Sequence, residues 1–435
     1  MGNLKSVFLV WKAIFLLAVA GTSQDISQLH LKGTLPGTFL NPGMPLSKNW
    51  NISLANYSVS LGTDGPSIDG ITSKNAAGQR YIDVKKLPSN PQEYYNVNLE
   101  TSVHTLDLGI RAWGVGILAG HRFFSGGNIR YTGSLLELAA KGNAAFIGQQ
   151  LQIGPSLDAT AYNEVYLGAQ KTINNFTLGV RAKLLYGTAS LVTEESDILF
   201  TTKQEYYQLE LKNNYLLRSS GLLRYNDFDD ITVNLPGFTF DNFFYNNRGI
   251  AVDLGASFKA GDKLTFSASA LDLGSIKWDF FPRKYSSTGT FTYDGLDIIK
   301  YLGDTTQISV ADTILEEFKV LSGQQPYKTL LNNTFTVGAV YEISPGWTAN
   351  GLYLLRNEYG SRKHYLTLST VKKISVFDLG IQYSVSKNNY FSLGFYTRLN
   401  AGFFSGFFST DNIFGVFSPF RSKSANLRLG ASLQF

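Results

Sequence analysis

The 435-residue chain contains no cysteine, which excludes a disulfide framework and any thiolate metal site. Charged residues make up only 16%, against about 25% in ordinary soluble domains. No apolar run reaches the roughly 20 residues that a helical membrane span needs, and the mean hydropathy is only −0.05. The formal net charge of +5 shows no basic block, so the sequence carries no electrostatic footprint for nucleic acid. Catalytic signatures are also missing. The four histidines, His30, His104, His121 and His364, have neither His-x-x-x-His nor His-Glu-x-x-His spacing. There is no Gly-x-Ser-x-Gly elbow and no P-loop. The sequence therefore assigns no catalytic residue, no metal ligand and no cofactor, and the chain is read as a non-enzyme.

What the chain does have is tyrosine (24), phenylalanine (31) and glycine (42), arranged with a period of two. In residues 176–186, Phe176, Leu178, Val180, Ala182, Leu184 and Tyr186 alternate with Thr177, Gly179, Arg181, Lys183 and Leu185. In 250–259, Ile250, Val252, Leu254, Ala256 and Phe258 oppose Ala251, Asp253, Gly255, Ser257 and Lys259. The same pattern fills 377–386 and the closing stretch from Ala425 to Phe435. Such alternation argues for half-buried strands. The polar faces are rich in Gly, Ser, Thr, Asn and Gln but poor in the Lys and Glu that coat soluble sheets. That composition separates a membrane barrel from a soluble β-sandwich, which also alternates. Aromatic residues near strand ends, such as Tyr186, Trp278, Tyr341, Trp347 and Phe435, match the girdles at membrane interfaces.

Short turns near 172–175, 260–262 and 344–346 alternate with long polar stretches near 61–94, 125–160, 213–248 and 279–330. The expected fold is all-β: a transmembrane antiparallel up-and-down β-barrel of about 14–16 strands, with long extracellular loops and short periplasmic turns. The strand count is ambiguous around 104–113 and 188–212. Segments 294–303 and 312–321 read as short loop helices. The first strand is placed from Trp50, paired with the last, because hydrocarbon leaves no tolerance for an open sheet edge.

Residues 1–23 read as a secretory signal peptide: Lys5 and Lys12 precede a short apolar core, Ala13 to Ala20, and small residues. Residues 24–49 show no alternation and contain Pro36, Pro42 and Pro45. They form either a periplasmic lead or a segment plugging the lumen. Residues 50–435 form the barrel, located in the cell outer membrane and monomeric.

Four stretches resemble a family of uncharacterised Bacteroidota outer-membrane barrels, DUF5723. They are residues 35–50 with Asn41-Pro42, 136–148, 246–278, and 409–435 with Asp411-Asn412. That family is distantly similar to the OMPP1/FadL/TodX transporter barrels. The resemblance implies an outer-membrane barrel; separately, the terminal aromatic Phe435 after an alternating strand resembles the signal that the outer-membrane barrel assembly machinery recognises. The family resemblance transfers no substrate.

On the lumen face, Asp253 and Asp378 have Arg181, Lys183, Lys259, Lys277, Arg398 and Arg428 as candidate cross-sheet partners. This set is either a charged constriction that orients solutes or a self-neutralising network that stiffens the wall. Phe403, Phe404, Phe407 and Phe408 form either an aromatic girdle at the outer interface or an apolar patch for a ligand or partner. Lys372-Lys373 reads as a solvated turn. Two functions follow. The first is a passive channel or transporter for a small solute, the hydrophobic class included. The second is a non-transporting barrel that anchors a secretion or cell-surface complex through a protein partner.

Overall fold

Each strand meets lipid on one face and a polar interior on the other, so the alternation fixes which way every side chain points. The computed structural model describes residues 28, 30–227, 230–233, 239–293, 320–387 and 389–435. Within them, a 14-strand antiparallel barrel closes on itself. Its strands are β1 (Trp50–Thr63), β2 (Tyr94–Ala112), β3 (Val115–Thr132), β4 (Ser156–Ile173), β5 (Phe176–Thr202), β6 (Arg248–Ala260) and β7 (Leu264–Trp278). The second half comprises β8 (Asn333–Ser344), β9 (Trp347–Glu358), β10 (Ser361–Ile374), β11 (Phe377–Ser386), β12 (Asn389–Ala401), β13 (Phe404–Thr410) and β14 (Ser424–Gln434). Neighbours in sequence are neighbours in the sheet. The ring closes where β14 meets β1, with Asn51 opposite Gln434 and Gly62 opposite Ser424. At the rim, Trp50 N donates to Phe435 O at 3.2 Å and Phe435 N to Trp50 O at 2.9 Å.

The faces separate cleanly. On β5, Leu178 and Leu184 are each 54% exposed, whereas Arg181 and Lys183 are 3% and 4%. Leucines open to the outside and cations hidden within describe a lipid-facing wall around a polar lumen. Short turns gather at one end, including 113–114, 174–175, 261–263, 345–346, 375–376 and 402–403. The longest loops gather at the other.

Bulges explain where the sequence pattern was ambiguous. In β2 the register shifts between His104 and Leu106. The extra residue flips the phase, so Val97, Leu99 and Val103 face outward before it, and Leu106, Leu108 and Ile110 after it. Similar bulges interrupt β1 between Leu54 and Tyr57 and β7 opposite Val252 and Leu254. Ala55 (φ 47°) and Asp272 (φ 57°) occupy the left-handed region there, which a side chain rarely adopts without compensation.

The second ambiguous region resolves differently. β5 runs for 27 residues, far beyond the roughly 9–11 that cross a bilayer. Its C-terminal half pairs with a strand at Leu209–Gly221, which pairs with another at Arg283–Tyr293. The stretches read from sequence as the polar loops 213–248 and 279–330 therefore contain strands. They carry polar residues on both faces, so they lack the membrane alternation. The helix expected at 294–303, and nearly all of the one at 312–321, fall outside the described residues. So does the signal-peptide reading of 1–23.

Ser53 lies directly opposite Ser432 across the closing seam, at a Cα spacing that suits a disulfide. In this cysteine-free chain, Ser53→Cys with Ser432→Cys should form one intramolecular disulfide on mild oxidation, seen as a mobility shift reversed by dithiothreitol. Only intermolecular cross-links, or none, would contradict the closed seam.

Candidate functional site

Gln28 and residues 30–49 carry no strand of their own and run along the inner wall. Their carbonyls are met by wall side chains. Arg181 Nη2 donates to Phe39 O at 3.1 Å, Ser269 Oγ to Leu40 O at 2.7 Å, Ser257 Oγ to Gly43 O at 2.7 Å, and Arg111 Nη1 to Leu46 O at 3.2 Å. Asn41 answers in the other direction. Its Nδ2 donates to Ala256 O and Ala268 O at 3.0 and 3.1 Å, while its Oδ1 accepts from Gly43 N at 2.7 Å. Two wall glycines permit this approach. A Cβ on Gly179 would lie 2.0 Å from Pro42 O, and one on Gly255 would lie 2.1 Å from Asn41 Oδ1. Apolar side chains complete the seat: Leu35, Phe39 and Leu46 pack on Leu118 and Tyr166, and Leu31 packs on Tyr396 and Phe407. Phe39 stacks on His104 with centroids 3.8 Å apart. His104 in turn meets Asp107 at 3.2 Å, and Tyr166 donates its hydroxyl to the same carboxylate at 2.7 Å. His30 Nε2 meets Gln382 Oε1 at 3.3 Å; burial pushes its imidazole down to about 4, so it is neutral at pH 7.

Beside this segment lies a ladder of charges. Asp253 binds Arg181 at 2.9 Å and Lys183 at 2.8 Å, and accepts from Asp272 N at 2.7 Å. The strained Asp272 binds Lys183 at 2.5 Å and Arg122 at 3.0 Å, and Arg122 also reaches Glu164. On another part of the wall, Arg356 joins Glu100 at 2.6 Å and Glu358 at 3.2 Å, with Lys363 on Glu358. Both groups border one cavity of about 70 Å³, whose lining also includes Phe39, Phe124, Phe407 and Arg428. At about 10–15 Å³ per water, it holds roughly five to seven waters.

Of the residues singled out from sequence, Arg181, Lys183 and Asp253 come together. Asp378 and Arg398 form a separate pair, with Arg398 Nε 2.7 Å from the carboxylate. Arg428 is 5% exposed and borders the cavity. Lys259 stands exposed at the short-turn rim, away from the ladder. The phenylalanines do not form one patch. Phe407 faces the lumen at 8% exposed, while Phe404 and Phe408 lie on the outward side. The expected outer-interface placement is also corrected: the reversal at Gly402 (φ 64°) puts Phe403 at the short-turn end, stacked on Phe435 at 5.7 Å. The sequence reading missed Glu100, Arg122, Glu164, Glu358 and Arg356. Glu100 was visible only as one polar residue in an alternating run. Among the described residues, no group of three or more His, Cys, Asp or Glu is placed to hold a metal ion.

The model of the family of unknown function DUF5723 matches residues 42–411. This chain belongs to that family. Its matched region begins at Pro42, one residue after Asn41, and ends at Asp411. No curated protein matches the chain. Solved structures similar to it include the toluene transporter TbuX of Ralstonia pickettii, with 8% identity over 92% of this chain and 93% of that one, TM-score 0.43. The P. putida toluene transporter TodX has 10% identity, coverage of 91% and 92%, and TM-score 0.42. A Pseudomonas aeruginosa FadL homologue has 10% identity, coverage of 96% and 99%, and TM-score 0.43. Likeness at that level says nothing of what this family member carries.

Asp253 is fully buried between two cations, so Asp253→Asn leaves both undercompensated. Removing one partner of a buried pair costs about 3–5 kcal/mol; Lys259→Gln at the exposed rim should cost less than about 0.5 kcal/mol. Urea unfolding of both variants in detergent, followed by loss of the heat-modifiable band, compares them. Equal midpoints would contradict the ladder.

Proposed function

We propose that this barrel is an outer-membrane transporter for a small solute, closed at rest by residues 28–49. The observation that carries the reading is the seat at Asn41–Gly43: hydrogen bonds run both ways between segment and wall, and wall glycines admit the backbone. A segment held this way blocks the lumen without a covalent bond, and its displacement opens a path. The ordered wall beside it supports passage over permanent obstruction. The charge ladder leaves its carboxylates and cations paired with each other, and the cavity retains room for water.

The filled lumen does not favour an open diffusion pore. The cavity lining bears on the solute. Phe39, Phe124 and Phe407 offer apolar contact, and Glu100, Arg122 and Arg356 offer charge. A purely hydrophobic solute matches only half of that lining.

The second reading, a non-transporting barrel that supports a surface complex, is favoured by the sheet that β5 builds beyond the barrel with Leu209–Gly221 and Arg283–Tyr293.

Gly179→Ala separates the two. Its Cβ meets Pro42 O, so the segment is expelled from the seat while the outer face is untouched. In planar bilayers the unmodified chain should be mostly closed, and Gly179→Ala should show open-state conductance at least tenfold more often. A folded, heat-modifiable Gly179→Ala barrel that stays silent would overturn the transport reading and leave the structural one.

A further inference from the structure

The short-turn end has a charge character that the rest of the barrel lacks. Around the lumen mouth stand Lys32, Lys48, Arg111, Lys259, Lys263 and Lys373, against only Asp262 and Glu342 among the described residues. Asp378 and Arg398 neutralise each other. Alternation places Lys259 and Lys373 on the lumen side of β6 and β10, and Arg111 reaches inward to Leu46 O. Lys48, Arg111, Lys259, Lys263 and Lys373 are all exposed. Burial pushes the Lys32 ammonium down to about 8, with Glu342 opposing, so Lys32 keeps its charge at neutral pH. Two further lysines lie on the lipid side: Lys171 on β4, and Lys372, whose ammonium sits 5.3 Å from the Trp347 ring. This end thus holds eight cations against the side-chain carboxylates of Asp262 and Glu342 and the Phe435 carboxylate, whereas the entire chain carries a net charge of only +5.

Deeper in, most of the acidic charge is compensated; Asp107, held by His104 and the Tyr166 hydroxyl, is the exception near the seat. Glu100, Glu164, Asp253, Asp272 and Glu358 are each tied to a guanidinium or an ammonium. An ion crossing the lumen therefore meets a positive mouth and a largely compensated interior. Low-dielectric walls around a mouth of one sign focus its field and concentrate counter-ions, and charged rings set the selectivity of pores.

We propose that the short-turn mouth is an anion-collecting vestibule, so that the open barrel is anion-selective and its solute is a small anion. This rests on the transport reading and names its substrate class. The field is strongest where the mouth narrows onto residues 28–49, so anions accumulate where the segment yields. The lipid-side lysines contribute little, because the wall separates them from the path.

Two measurements on the full-length chain test this. In planar bilayers with a tenfold KCl gradient, Gly179→Ala should reverse towards the chloride potential, with chloride favoured by roughly fivefold. The preference should fall towards unity near ~1 M salt, where the screening length is about 3 Å. Lys259→Glu, Lys263→Glu and Lys373→Glu together should abolish or invert it, and Lys171→Gln should leave it unchanged. Current without anion preference overturns the vestibule alone. Absence of current from the folded variant defeats the transport reading, and the mouth is then read without it. Trp113, 99% exposed at the tip of the β2–β3 turn, reports the local potential. The Trp113 contribution, read as the difference from Trp113→Phe, should be quenched several-fold more strongly by iodide than by caesium, and the triple charge reversal should erase the difference. Equal quenching in the unmodified chain overturns the proposal.

Discussion

Hydrocarbon offers no partner to a backbone N–H or C=O, and that constraint governs the molecule. The sheet must close, and closure by the β14–β1 seam leaves no free edge. Closure creates a second requirement. About eight strands already make an interior that side chains fill, so a 14-strand ring encloses more space than its inward residues occupy. Water or more chain has to take up the remainder. In the proposal, Gln28 and residues 30–49 do so, consistent with Leu31, Leu35 and Leu46 each being no more than 2% exposed.

A filler of irregular backbone brings unsatisfied carbonyls into a partly dry lumen, and each needs a donor. Arg181, Ser257, Ser269 and Arg111 supply them, and Asn41 returns two hydrogen bonds to the wall. At about 0.5–1.5 kcal/mol net for each bond, such contacts fix a position without making it permanent. Arg181 links the two layers of the account: it holds Phe39 O and is itself held by Asp253. The charge ladder thereby orients the group that grips the segment.

The barrel was legible because alternation is written locally. Leu178 against Arg181 and Leu254 against Asp253 already separate lipid from lumen. Legibility failed where one residue changes phase, as at His104–Leu106, and where strands leave the membrane, as in the outer half of β5 and Leu209–Gly221, since no apolar face is then required. The site was legible only in part. Asp253, Arg181 and Lys183 share faces on neighbouring strands, which parity reveals. Arg356 and Glu100 lie on strands 256 positions apart in sequence, and only barrel curvature brings them together. In the sequence, Gly179 and Gly255 are only small residues on the polar face of their strands. What needs the space is the Pro42 carbonyl and the Asn41 side chain, which no pattern within the strand encodes.

The central claim is that residues 28–49 occupy the lumen and are released when their seat is altered. Thr38 is fully buried there, and a cysteine placed at that position would be the only one in the chain. Labelling of Thr38→Cys in intact membranes with a bulky, impermeant maleimide tests the claim most directly. The account predicts protection over hours in the otherwise unmodified barrel and labelling within minutes once Gly179→Ala is added. Rapid labelling without the second substitution, or equal protection with it in a folded barrel, would contradict it.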